Sequence, residues 1–146
     1  MIQENTKTKG NYSEMVIASK FLEYGFYVSF PFGDNAPYDL IVDNGVKLFK
    51  VQCKTAFRQK DNQLEVKFER RVGSKRNKSQ SYQDLDIDFI CAYSLEYKKV
   101  FLLDLKEFKN VNSVCLRVTP PLNNMKKGIN FAEDYLLDKQ IRKYII

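Results

Sequence analysis

Tyr38-Asp39-Leu40-Ile41-Val42-Asp43-Asn44-Gly45-Val46-Lys47-Leu48-Phe49-Lys50-Val51-Gln52-Cys53-Lys54-Thr55-Ala56 reads as two strands joined by a tight turn. Asn44-Gly45 favours the positive backbone angles of a hairpin turn, and apolar runs flank it on both sides. Residues 38–42 and 46–56 therefore pair as a hairpin. The period of two along the second strand sends Phe49, Val51 and Cys53 to one face and Lys50, Gln52 and Lys54 to the other. Asp39 interrupts the first strand, where a charge is costly unless it is paired or binds a metal. The hairpin alone brings Asp39 near Gln52 and Lys54, so three polar groups converge at one end of it.

The chain around this hairpin reads as α+β. Ser13 opens an amphipathic run through Met15, Ile17, Ala18, Phe21, Leu22 and Tyr24, which predicts a helix stopped at Gly25. Short strands are expected at 26–30, 64–68 and 114–118, and a second hairpin at 87–93 and 99–103 around Leu95-Glu96-Tyr97-Lys98. Leu105 to Phe108 suits a helical turn, and Phe131 to Tyr144 a C-terminal helix. No repeat or long linker appears, so the expectation is one domain over 1–146 with a mixed central sheet flanked by helices.

Composition bounds the chemistry. The 146 residues carry a net charge of +6, which favours a polyanionic partner. From Lys67 to Lys78 lie six basic residues and one acid, nearly the whole excess, so residues 67–82 are expected to form a basic loop that contacts DNA. Its candidates are Arg70, Arg71, Lys75, Arg76 and Lys78, with Ser79, Gln80, Ser81 and Tyr82 able to hydrogen-bond phosphate or bases. Arg58, Gln59 and Lys60 form a second candidate patch. The alternative for each is a solvated surface.

There is no histidine, which removes serine and cysteine hydrolases of the histidine type, histidine-metal nucleases and zinc proteases. Hydrolysis must then use carboxylates, lysine and a hard metal ion. Cys53, Cys91 and Cys115 are an odd set without metal spacing, each in an apolar stretch, and read as buried free thiols. No run of about 18 apolar residues is present, so a soluble, intracellular, cytoplasmic and nucleoid-associated protein is expected, without membrane contact.

The hairpin trio suits phosphodiester hydrolysis. The Asp39 carboxylate would ligate magnesium, and the Gln52 amide oxygen or the Cys53 backbone carbonyl would complete the site. Lys54 would orient water and stabilise the transition state. The bland alternative for Asp39 is an acid paired with Lys50 or Lys54. Asp34 sits in ordinary turn chemistry, and Asp84, Asp86 and Asp88 read as capping a loop before a strand.

Gly33-Asp34, Tyr38-Asp39-Leu40-Ile41-Val42 and Val51-Gln52-Cys53-Lys54 together resemble the PD-(D/E)xK nuclease superfamily, which includes restriction enzymes and archaeal Holliday-junction resolvases. Gln52 replaces the usual acid. This Gln-x-Lys variant is similar to the homing endonucleases of bacterial group I introns. The resemblance covers about residues 10–56 and more loosely the remainder. It implies a restriction-endonuclease-like (α/β/α-like) fold and a magnesium-dependent, site-specific double-strand endonuclease, with manganese able to substitute and no small-molecule cofactor. It also implies that Glu14 completes the catalytic set Glu14, Asp39, Gln52 and Lys54; without it, Glu14 reads as a helix N-terminal charge favoured by the macrodipole. So small a chain would cover a long target as a homodimer or homotetramer. The alternatives are a junction resolvase or an inactive nuclease fold kept as a DNA-binding module, the latter supported by Gln52.

Neutralising Arg70, Arg71, Lys75 and Arg76 together should weaken duplex binding and flatten the dependence of log Kd on log salt by about 3–4, since each phosphate contact contributes roughly 0.9. A fluorescence-anisotropy salt series measures it.

Overall fold

The structure, a computed structural model, describes residues 5–71, 79–120, 123 and 127–146, with the side chains of Asp61 and Arg71 outside that description. It begins with helix α1 (Thr6–Glu23), followed by strands β1 (Tyr27–Ser29), β2 (Leu40–Asp43) and β3 (Leu48–Thr55). Strands β4 (Phe57–Gln59), β5 (Gln63–Lys67), β6 (Glu69–Arg71) and β7 (Ser79–Ser81) come next. A hairpin of β8 (Phe89–Ser94) and β9 (Lys99–Asp104) precedes β10 (Ser113–Arg117), β11 (Asn130–Phe131) and the one-turn helix α2 (Leu137–Gln140).

A five-stranded sheet in the order β1-β2-β3-β8-β9 forms the centre. It is mixed: β3 and β8 run parallel, and their neighbours pair antiparallel. All six residues of β8 are buried, as a strand covered on both faces requires. On one face, Ile17, Ala18 and Phe21 of α1 pack with Leu40, Val42, Phe49, Val51, Leu102, Leu137 and Ile141. On the other, Ile90, Ala92, Phe101 and Leu103 meet Leu64, Val66, Val114 and Leu116 of a four-stranded sheet ordered β11-β10-β5-β4. The α+β class with a mixed central sheet is as expected. The second covering layer is a sheet where a helical layer was anticipated, because β5 and β10 each alternate inward apolar residues with outward polar ones.

The turn between β2 and β3 follows its chemistry. Gly45 holds φ +93°, Asp43 Oδ1 accepts from Gly45 N at 2.7 Å, and Asn44 Oδ1 accepts from Lys47 N at 2.8 Å. The second hairpin also stands where the sequence placed it, with Lys98 N donating to Ser94 O.

Four expectations need correction. Helix α1 starts seven residues before Ser13, at Thr6, because Asn5 caps it by accepting from Lys7 N at 2.8 Å. The C-terminal helix is broken into a short strand, single turns and α2. Leu136, extended at ψ 133° and bridged to Phe101, ends one turn and starts the next, so the helix does not continue across it. Part of the basic loop is a hairpin, in which β6 pairs with β7. Finally, Cys91 is buried and Cys53 half-buried, but Cys115 points outward between the inward Val114 and Leu116; all three are free thiols. Among the described residues no helix is long and apolar enough to cross a membrane.

Candidate active site

The site arises where β2 and β3 part. Their last paired residues are Leu40 and Val51, whereas β3 continues beside β8 as far as Thr55. Asp39 lies one residue before β2 rather than inside a strand. Its backbone N donates to Val51 O at 2.9 Å, and its Oδ2 accepts from Cys53 N at 2.8 Å. The carboxylate thus takes the place of a ladder partner and leaves the sheet edge open beyond it. Oδ1 remains uncommitted among the described residues.

The two faces of β3 contribute differently. Gln52 and Lys54 stand opposite Ile90 and Ala92, on the face that carries the second sheet. Glu14 comes from α1, on the other face. Ser13 locks it there: buried and adjacent to Glu14, its hydroxyl lies 2.7 Å from the Thr55 hydroxyl of β3. Groups from opposite faces can meet only at an open edge, and Asp39 sits on that edge. With the helix starting at Thr6, Glu14 lies in its third turn, too far from the end for the macrodipole to account for it.

Electrostatics reflects this convergence. Burial and the nearby Asp39 charge both push the Glu14 carboxyl up. Burial raises the Asp39 carboxyl, opposed by the Cys53 amide and the Lys54 charge. Burial depresses the Lys54 ammonium, which Asp39 and Glu69 partly restore and Lys67 depresses further. Neither carboxylate forms an ion pair among the described residues. The pairing of Asp39 with Lys50 or Lys54 is therefore not what holds it. Lys50 bonds Asp86 at 3.1 Å, and Lys54 lies over the Tyr82 ring, 4.8 Å from its centroid.

These donors fit a hard cation. Two carboxylates, the Gln52 amide oxygen and the Cys53 carbonyl are all oxygen ligands. Gln52 Nε2 donates to Cys53 O at 3.3 Å, which leaves Gln52 Oε1 open. Among the described residues no three histidine, cysteine or acidic side chains cluster for a metal, so neutral oxygens must complete any site. That applies also to Asp84, Asp86 and Asp88, of which Asp88 Oδ2 accepts from Lys50 N at 2.9 Å. Beside Lys54 a cavity of about 480 Å³ opens between Thr6 and Gly10 of α1 and Glu65 and Lys67 of β5, with Phe57 at its side.

The expected DNA contacts are dispersed. The Arg58 guanidinium bonds Glu96 at 2.9 Å and Asn62 at 2.7 Å, while Lys60 is exposed in the following turn. Arg70 donates to Gln80 Oε1 at 3.3 Å. Lys75, Arg76, Lys78 and the Arg71 side chain lie outside the described residues. Tyr82, expected to offer its hydroxyl to DNA, is 2% exposed and packed in the second core. Its neighbours there, Phe68 and Ile87, follow no local period, so sequence carried no signal for its burial. Ser13 and Thr55 were missed because their contact joins residues 42 apart. Asp34 is exposed on its loop.

The family pattern described as PD-(D/E)XK endonuclease matches residues 4–138. Protein 5.3 of Escherichia phage T7 is 34% identical over 107 residues, spanning 73% of this chain and 86% of that protein. The solved structure of a bacterial homing endonuclease, I-Ssp6803I, superposes with a TM-score of 0.76 at 25% identity, covering 96% of this chain and 97% of that one. A looser likeness, with a TM-score of 0.45 at 11% identity over 75% and 84% of the two chains, is to a Holliday junction resolvase of the archaeon Archaeoglobus fulgidus.

A raised Asp39 means that the fold binds its proton more tightly than the unfolded chain does. Stability is therefore lost as pH rises from the ordinary carboxylate value of 3.8 through the raised value in the fold. In chelator at neutral pH, Asp39→Asn should raise Tm, since the amide oxygen still accepts from Cys53 N without a buried charge. Calorimetry that finds an unchanged or lower Tm contradicts the assigned environment.

Proposed function

This chain belongs to the PD-(D/E)XK endonuclease family, and from that premise we propose that it is a metal-dependent, site-specific double-strand DNA endonuclease of the intron-homing type. The observation that carries the reading is the pair of half-buried carboxylates, Glu14 and Asp39, in which burial and the Asp39 charge push the Glu14 carboxyl up and neither acid forms an ion pair among the described residues. Such a pair calls for a cation. The likeness to a homing endonuclease over nearly the whole of both chains supports the intron-homing assignment.

In this reading Glu14, Asp39, Gln52 Oε1 and the Cys53 carbonyl hold one hard divalent ion, magnesium by preference. Bound there, the ion would neutralise charge on the phosphate and acidify water. Asp39 is fixed by the Cys53 amide, so one oxygen keeps a constant aim toward the cleft. Lys54 donates to a non-bridging phosphate oxygen and orients the attacking water; partial burial strengthens that interaction by excluding competing solvent. Lys67, Lys60, Arg58 and the basic segment from Arg70 to Lys78 hold the duplex backbone, Arg58 by exchanging its exposed bond to Glu96 for phosphate, since such pairs contribute only about 0–1 kcal/mol. Residues 1–146 act as one nuclease domain, and a homodimer or homotetramer spans the target.

Gln52 supports a second reading, in which the fold binds DNA without cutting it. One experiment separates the two. Magnesium-dependent cleavage of a linear duplex library, lost in chelator and reduced about 10²–10³-fold in Asp39→Ala and in Lys54→Ala with DNA binding retained, is the outcome expected of the enzyme. Binding without cleavage at any magnesium or manganese concentration would instead leave a DNA-binding module.

A further inference from the structure

Tyr82 stands in an unusual position for a core tyrosine. It follows β7 directly in a turn capped by Ser81, whose Oγ accepts from Gln83 N, and its own N donates to Phe68 O at 2.8 Å. That backbone bond and burial to 2% exposure among the residues of the second core therefore fix the ring there. One face of that ring, however, is turned to the site. Lys54 Nζ lies 4.8 Å from its centroid, and the hydroxyl is near enough to Asp39 and Arg70 to feel both charges. Burial, reinforced by Asp39 and opposed by Arg70, pushes the phenol up to about 12, so a neutral ring lies under the ammonium.

Lys54 needs such a support. It forms no ion pair among the described residues, and a flexible four-carbon stem gives an ammonium no preferred aim. An aromatic face replaces part of the water that burial strips from the cation, and it restricts the head to one side of the cleft. The quadrupole competes only weakly for N–H donors, so the ammonium can still donate to a phosphate oxygen.

We infer that Tyr82 is a positioning residue for the proposed endonuclease reaction, its ring face holding the Lys54 ammonium at the open edge of β3 beside Asp39. The inference rests on the endonuclease reading of the same site. It adds a residue outside the Glu14, Asp39, Gln52 and Lys54 set, and one that reaches the substrate through Lys54 rather than directly.

Steady-state cleavage of a duplex target in magnesium tests it, with Tm recorded for every variant. Tyr82→Leu should lower kcat about tenfold with KM changed by less than about twofold, because the ring acts on Lys54 and not on DNA. Tyr82→Phe keeps the ring and should bring kcat back to within about threefold of the parent. Leu116→Ala opens the same second core from β10 while leaving the Tyr82 and Phe68 side chains intact, and should lose comparable Tm with kcat near the parent's. The role is overturned if Tyr82→Leu keeps the parent kcat, if Tyr82→Phe falls as far as Tyr82→Leu, or if Leu116→Ala loses as much kcat. A parent that cuts nothing sinks the endonuclease reading and this role together. A cutting parent with an unaffected Tyr82→Leu variant sinks the positioning role alone.

Discussion

The Asp39 carboxylate accepting from Cys53 N at 2.8 Å replaces a hydrogen bond that a continued β2 would have made. Had β2 extended by two residues, its backbone would have satisfied the Cys53 amide and closed the sheet edge. A side chain satisfies that amide just as well, and it leaves room beside the strand. Everything in the candidate site follows from that substitution. The edge beyond Val51 stays open, Glu14 can approach from the helical face, and Lys54 from the face of the second sheet.

The same arrangement works against stability. Burial costs both carboxylates and the lysine part of their preference for the charged form, and among the described residues no ion pair offsets that for either acid. The surrounding structure is built to hold them regardless. Ser13 and Thr55 pin α1 to β3 at one side of the edge, the Tyr82 ring lies beneath Lys54 at the other, and β8 anchors the centre with six consecutive buried residues. In the proposed reading a bound cation would offset the charges held on this frame, and the fold gives up some of its own stability until one binds.

How much of this was legible in sequence depended on the range of the interactions. Asn44-Gly45 writes its turn into two residues, so the hairpin, and with it the nearness of Asp39 to Lys54, could be read directly. The exact place of Asp39, before the strand and not within it, could not, because a side chain accepting from the backbone N 14 residues away leaves no periodic trace. Glu14 came only through resemblance: the Ser13–Thr55 contact that directs it is tertiary. The unbroken C-terminal helix was a misreading of Leu136, whose bridge to Phe101 overrides a helical pattern that Leu137 and Ile141 do display. Tyr82 looked like a loop hydroxyl amid Ser79, Gln80 and Ser81, since its core partners come from other strands.

The central claim is that Glu14 and Asp39 form a cation site at the open edge of β3. A crystal of the protein soaked in manganese, with data collected at a wavelength giving an anomalous signal, tests it most directly. A peak bounded by the Glu14 and Asp39 carboxylates within about 2.0–2.4 Å of their oxygens, absent from Asp39→Asn crystals, is the expected result. A peak at Asp84, Asp86 and Asp88 instead, or none near Asp39 at millimolar manganese, would contradict it.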